Sequence, residues 1–422
     1  MAAIDITGAG GGINNVTGTS PVVVTVVGVT GRNVSLDQSQ FKTINGNSIF
    51  GAGNIVIATG LTNWTEAFNS GTQATSSFTA TNAATNVNAA LVPKGTGAIV
   101  AQIPDGTTAG GNARGQYAVD LQMVRSAANQ VASGDYSVNL GVNCRASGFT
   151  SAALGGNLNV ASGKSTIVGG QQNTASDEFS VCFGYLQTSS IKYGGCLTGQ
   201  SNSTTTQEGA LVTGGNGNSV TGSYSVCGNG VLNTVSGGNA AILVGNNSVA
   251  SQNFSIANGW FANSYLYGQH SQSSGRFTIT GDAQGSEAIL RLVDGFTDLQ
   301  TKEIYLDGSS LRITGPTNSA MTVNIDIVAI VTAISGTASG VSIGDMFSQN
   351  EICAYKNIAG TGTVVGSFSL HKLHDASMAA CDTAFATTGA ALQVFFTGPN
   401  FAGGGSVTLR IVAKARIVET RY

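Results

Sequence analysis

Side chains that could act on a substrate are few in this chain. The histidines are His270, His371 and His374. His371 and His374 stand three residues apart, which on a strand puts them on opposite faces and makes them a poor metal pair. Ser-His-Asp catalysis needs a nucleophile on a strained turn between strand and helix, and none is expected here. The glycine run at 8–12 is not followed by Gly-Lys-Ser or Gly-Lys-Thr, so it is no phosphate loop. Cleavage of a polysaccharide by two carboxylates is the serious enzymatic alternative. Between 134 and 268 the acids are Asp135, Asp177, Glu178 and Glu208. Adjacent Asp177 and Glu178 point opposite ways on a strand, which leaves that stretch short of a catalytic pair. The reading is therefore a non-enzymatic chain with no catalytic residues, no metal site and no cofactor. The six cysteines, at 144, 182, 196, 227, 353 and 381, form no C-x-x-C pair, and they read as small buried hydrophobes.

The elements that position these residues repeat. Glycines closing a short apolar run stand at 141, 155, 169, 184, 199, 214, 228, 245 and 259, in steps of 14 to 17 residues. That period is too short for helix-pair solenoids. Within it, an alternating run such as Ser151-Ala152-Ala153-Leu154 precedes a polar Gly/Asn corner, and a second small strand ends in Ala-Ser-Gly, as in Val160-Ala161-Ser162-Gly163. Two short strands and two corners make one rung, with Gly and Asn at positive φ. A coil this thin encloses few side chains, so other copies must supply burial, and a homotrimer is the expected closed arrangement.

Composition agrees with repetitive β structure. The chain has 422 residues, 59 of them Gly, with only 9% charged residues, 41% hydrophobic residues and a net charge of −3. Disorder would need lower hydrophobicity and higher net charge. No basic run offers phosphate neutralisation, so nucleic acid is not an expected partner. The first positive side chain is Arg32, which argues against a secretory signal. The apolar run at 22–29 is far below the ~20 residues that span a bilayer.

The Ser-x-Ala-x-Gly rungs resemble the head repeats of trimeric autotransporter adhesins. Together with Pro93-Lys94-Gly95-Thr96-Gly97, Gly110-Gly111-Asn112-Ala113-Arg114-Gly115 and Ala118-Val119-Asp120-Leu121-Gln122, the chain resembles bacteriophage tail fibres that carry the same rungs. The element Lys42-Thr43-Ile44-Asn45-Gly46 followed by Gly53-Asn54-Ile55 is similar to one near the proximal end of phage tail proteins. The resemblance implies a left-handed β-roll shaft and a virion tail protein assembled in the host cytoplasm. Its expected partners are other phage tail proteins and a host cell-surface receptor, either a saccharide or an outer-membrane protein. A tailspike depolymerase and a bacterial surface adhesin are the alternatives.

The expected fold class is all-β: an elongated trimeric fibre with a β-roll shaft of 14–15-residue repeats and a C-terminal β-sandwich tip. Residues 1–60 are read as a virion-attachment segment and 61–133 as an intertwined β region with a short capping helix at 117–130. The shaft takes 134–268, a neck 269–319 and the tip 320–422. In the tip, Met321, Val323, Ile325 and Ile327 alternate with polar residues, as do Val407, Leu409, Ile411 and Ala413 near the end, the period of strands with one buried face. Further strands are expected around 351–358, 363–373 and 390–397. Asp326 is expected to meet one of Arg410, Lys414 and Arg416 across strands. Counting reversals puts the loops 334–350 and 375–388 at the free end. Receptor contact is accordingly expected at Asp345, Met346, Phe347, Gln349, Asp375, Met378 and Asp382.

Overall fold

The computed structural model describes residues 64–69, 75–80, 90–164 and 166–422. The expected attachment segment at 1–60 lies outside the described residues. The chain divides into two compact units, Met1–Ala90 and Leu91–Tyr422. In the first, Trp64–Asn69 pairs antiparallel with Thr75–Ala80.

The second unit is an all-β solenoid that runs into a larger β region. Its rungs contribute short strands to two parallel sheets, one of them of nine strands from Arg145–Ala146 to Asn263–Ser264. In the other sheet Val138, Ala152, Ile167 and Val181 are successive Cα partners, separated by 14, 15 and 14 residues. Small side chains stack inside as columns. Ala146, Ala161 and Ala175 make one, and Ala153, Val168, Cys182, Cys196 and Val212 another, all fully buried. All six cysteines are buried and free, packing as the small hydrophobes their spacing suggested.

A buried amide column links the rungs from Asn159 to Asn233. The backbone N–H of Asn173 donates to Asn159 Oδ1 at 3.1 Å, that of Gln187 to Asn173 Oδ1 at 2.8 Å, and the pattern continues through Asn202, Asn218 and Asn233 to Ser248. Each asparagine also reaches a corner glycine of the next rung, Asn159 Nδ2 donating to Gly170 O at 2.6 Å and Asn173 Nδ2 to Gly184 O at 2.8 Å. Those glycines have no substitute. Gly170 sits at φ 93°, and a Cβ there would lie 2.1 Å from the Gly184 carbonyl oxygen.

The other corner departs from expectation, because positive φ falls on aromatic residues as well as on Gly and Asn. Tyr136, Phe179, Tyr193, Tyr224 and Phe254 all have φ between 51° and 60°. Neighbouring rungs offset the strain by ring contact: Tyr117 stacks on Tyr136 at 5.1 Å and Phe179 on Tyr193 at 5.4 Å.

The expected capping helix at 117–130 is not there. Val119–Asp120 is a strand between Ile99–Val100 and Val138–Val142, so stacking begins before residue 134. Ala118, Asp120 and Gln122 are buried while Leu121 and Met123 are exposed, the period of a strand. The spacing of Val119 and Met123 imitates a helix, but the rung needs the polar side chains inward. Asp120 takes Arg114 Nε at 2.7 Å, and Arg125 donates to Ala109 O and Gln102 Oε1.

The last shaft strand, His270–Ser274, pairs antiparallel with β1 (Ala283–Phe296), so the shaft sheet continues into the tip without a break. The remaining tip strands are β2 (Thr301–Ile304), β3 (Ile313–Thr314), β4 (Ser319–Ser335), β5 (Met346–Ile358), β6 (Thr361–His374), β7 (Asp382–Thr388), β8 (Ala391–Thr397) and β9 (Ser406–Arg421). One sheet runs β1-β9-β4-β5-β6, all antiparallel. In the other, β2 and β3 pair with β8 along one edge and β7 along the opposite edge. Phe296, Ile325, Phe347, Leu392, Phe396 and Leu409 belong to the apolar core these strands share. The expected neck at 269–319 is thus no separate element, because β1, β2 and β3 are tip strands. The last strand lies between β1 and β4. Asp326 and Arg416 do meet, at 2.5 Å.

Candidate functional site

Strand register assembles the site. Ser319 pairs with Arg421 and Ala283 with Thr420, so the start of β4 lies at the end where the shaft joins, while Ser335, Met346 and His374 lie at the other. The loops expected to be at the free end are therefore neighbours, and their acids tie them together. Asp345 accepts from Ser342 N at 2.7 Å and Ser377 Oγ at 2.5 Å, and Asp375 accepts from Met346 N at 2.8 Å. Met346 and Asp375 are exposed.

Two expected contact residues are out of reach. Phe347 and Met378 are both 0% exposed and belong to the core. Phe347 packs its ring against Phe396 at 5.4 Å. Its odd number on β5 gives it the inward parity of Cys353 and Tyr355, which fixes its direction.

The same parity turns Gln349 and Glu351 inward, and there the tip holds its most unusual chemistry. Gln349 Nε2 lies 2.8 Å from Glu351 Oε2, 3.1 Å from Asp382 Oδ1 and 3.2 Å from Ser369 Oγ. One amide nitrogen thus spans two carboxylates, whose facing oxygens are no more than about 6 Å apart, a bound that admits the ~5–5.5 Å separation of retaining glycosidases. The two acids differ sharply in environment. Glu351 is 6% exposed, and burial together with the negative charge of Asp382 pushes its carboxyl above the usual range, against the pull of hydrogen bonds from Ser367 and Gln349. The Asp382 side chain is 62% exposed, with Lys372 Nζ 4.0 Å away. Gln349 is 2% exposed, yet its Oε1 has no hydrogen-bond partner among the described residues. A buried acid beside an open carboxylate is the division of labour that glycoside hydrolysis uses.

Sequence reasoning named Gln349 and Asp382 and missed Glu351. The available signal was a charged residue at core parity on a strand whose other odd positions include Phe347, Cys353 and Tyr355 and carry no other charge. It also missed that Gly340-Val341-Ser342-Ile343-Gly344 fits Gly-x-Ser-x-Gly. That serine is exposed in the loop after β4, and strand β5 follows it rather than a helix, so the segment is no nucleophile elbow.

The other sequence candidates serve structure. Asp135 accepts from Gln116 N at 2.8 Å, and Glu178 pairs with Lys192 at 3.3 Å on the shaft surface. His374 Nδ1 lies 2.9 Å from Asp375 O, and His270 Nε2 lies 3.4 Å from Asn258 Nδ2. Among the described residues no group of three His, Cys, Asp or Glu is placed to hold a metal. No helix among them is long and apolar enough to cross a membrane.

No protein-family model matches the chain, and no curated protein matches it. Among solved structures the chain is similar to phage tailspike proteins. The Acinetobacter baumannii phage AM24 tailspike is 8% identical, with 76% of this chain and 78% of that one covered at a TM-score of 0.19. Tailspike gp49 of Acinetobacter baumannii bacteriophage Fri1, described as a capsular polysaccharide depolymerase, is 11% identical, with 77% and 82% covered at 0.18. The Acinetobacter phage vB_ApiP_P1 tailspike is 10% identical, with 72% and 82% covered at 0.15. The expectation of a non-enzymatic chain is corrected by this comparison, in which a similar structure is described as a depolymerase, and the acid-poor shaft on which that expectation rested is not where the carboxylates meet. What this chain does is decided by its own side chains.

Proposed function

We propose that the chain is a phage tail receptor-binding protein of the tailspike kind, which holds polysaccharide of the host cell surface and cleaves it at the Glu351–Asp382 pair. The carrying observation is the single amide nitrogen bridging a buried Glu351, whose carboxyl is pushed above the usual range, and a water-facing Asp382. In a retaining sequence Glu351 gives its proton to the glycosidic oxygen as that bond breaks, while Asp382 attacks the anomeric carbon and forms a glycosyl ester. Glu351, now a carboxylate, takes a proton from the water that hydrolyses the ester, which restores both groups. Asp345, Met346 and Asp375, on the tied loops of the same end, are the proposed outer contacts for the chain of sugars.

The working form is a homotrimer with a sandwich tip and a shaft of 14–15-residue rungs, joined to other tail proteins through residues 1–60. Support for self-association lies on the outer face of the five-stranded sheet, where Val328, Ile330, Phe368 and Val412 are 40–57% exposed.

Purified protein incubated with host capsule or lipopolysaccharide tests the cleavage. Wild type is expected to release new reducing ends, and Glu351→Gln or Asp382→Asn to lower that rate by roughly 10²–10⁴-fold with retention of the polysaccharide intact. Retention without reducing-end release by wild type would remove the catalytic role and leave a binding protein.

A further inference from the structure

At the junction of shaft and tip a groove of about 470 Å³ is lined by Phe254, Tyr267, Gly268, Ile289, Arg291 and Leu306. Its floor is apolar and well fixed. Leu306 is 3% exposed, and the Phe254 and Tyr267 rings meet edge to face at 5.4 Å. Phe254 remains 52% exposed and Ile289 47% exposed, so the groove offers both an aromatic and an aliphatic surface to whatever enters it.

Arg291 gives the groove its charge. The backbone of Arg291 is pinned by its N–H to Tyr305 O at 2.8 Å. Its Nη2 donates to Asp307 O at 3.1 Å, and among the described residues it makes no ion pair. The neighbouring Asp307 carboxylate is engaged elsewhere, accepting from the backbone N–H of Ser309, Ser310 and Leu311 and from the hydroxyls of Ser309 and Ser310. A guanidinium held at its base, with most of its fork uncommitted beside an aromatic surface, matches a planar oxyanion attached to a body with an apolar face.

We propose that this groove binds a carboxylate-bearing sugar residue, its carboxylate on the Arg291 fork and its apolar ring face against Phe254 and Tyr267. The proposal rests on the polysaccharide reading above for the nature of the ligand and is independent of the Glu351–Asp382 pair. Arg291 lies on β1, whereas Glu351 lies on β5, three strands across the same sheet, so one site holds the acidic sugar and the other cleaves. A phosphate on the polysaccharide would offer the fork similar oxygens, and selective removal of carboxyl groups separates the two.

The test uses the full chain on an array of purified bacterial surface polysaccharides, each printed native and after carbodiimide–borohydride reduction of its carboxyl groups. Retained polysaccharides are expected to carry a carboxylate, and retention is expected to fall roughly tenfold or more on reduction and in Arg291→Gln. Arg291→Lys, which keeps the charge and loses the fork, should fall between, and both variants should melt as wild type does. Retention that survives carboxyl reduction, retention confined to neutral or phosphate-only polymers, or no retention of any acidic polymer would each overturn the proposal. Reducing ends assayed on the same array keep the two readings apart. Acidic polymers held but never cut retain this proposal and remove the catalytic one, whereas neutral polymers cut and acidic ones ignored do the reverse.

Discussion

Glu351 sets two demands against each other. Removing a carboxylate from water costs stability unless a partner compensates, and here burial is the leading influence and the nearest charge, Asp382, is also negative. The folded chain therefore holds the proton more tightly than the unfolded chain does. Stability from this group is fully present below the ordinary glutamate range and is lost as pH rises through the raised value. Glu351→Gln, which keeps the shape and the hydrogen bonding without the charge, should raise the melting temperature at neutral pH and leave it nearly unchanged at acid pH. Thermal melts of both proteins across pH check this, and equal melting at neutral pH would mean that the carboxyl is not strained. Activity carries the same sign, falling as pH rises past the point where Glu351 loses its proton. Such a residue is half-legible in a sequence. Strand parity shows that 351 points inward beside 349 and 353, but parity cannot supply Asp382, which comes from another strand 31 residues later.

The rung shows the same limit at the next scale. Ala-Ser-Gly endings and apolar steps were readable because they recur at a fixed interval, and they placed the stacked strands correctly. The amide column was not read, although Asn159, Asn173, Asn202, Asn218 and Asn233 recur at that interval too, because asparagine in a Gly-rich chain passes for an ordinary turn residue. Its partners identify it as a buried coupling between rungs. Asn218 is fully buried, with Nδ2 2.9 Å from Gly214 O and 3.0 Å from Gly230 O, and Oδ1 accepting from Asn233 N at 3.0 Å. Asn218→Ala leaves the Asn233 N–H without its acceptor and the Gly214 carbonyl without the amide donor, and should cost about 2 kcal/mol in chemical denaturation. A loss within about 0.5 kcal/mol would show that backbone pairing alone holds the rungs. In the tip, alternation revealed the long strands and put Asp326 and Arg416 on their polar faces, since both follow from local period. Strand order did not, because the placement of β9 between β1 and β4 is settled by contacts that no local pattern encodes. The stretch at 117–130 failed for the opposite reason, a chance spacing of Val119 and Met123 outweighing the alternate burial of Ala118, Asp120 and Gln122.

For the whole molecule the decisive surface is the outward face of the five-stranded sheet. Val328 and Val412 are direct cross-strand partners, 47% and 52% exposed, with Ile330 and Phe368 on the same face. Ion pairs border them: Lys414 pairs with Glu287 at 2.8 Å and Arg416 with Asp326 at 2.5 Å. An apolar strip bordered by ion pairs fits a contact between copies. Light scattering should give a mass three times that of the chain, and Val328→Glu with Val412→Glu should lower it to that of one chain or leave the protein insoluble. A folded monomer of wild type would end the trimer reading. The amide column has one more consequence. Since the rungs from Asn159 to Asn233 each offer the next rung an amide oxygen for its N–H, removing or adding a whole rung in that stretch leaves its neighbours matched. The length of the solenoid can then change in increments of about 4.8 Å. Solenoid length becomes a heritable quantity that can be adjusted by duplication or deletion of about fifteen codons, with the β region that follows the rungs left as it is.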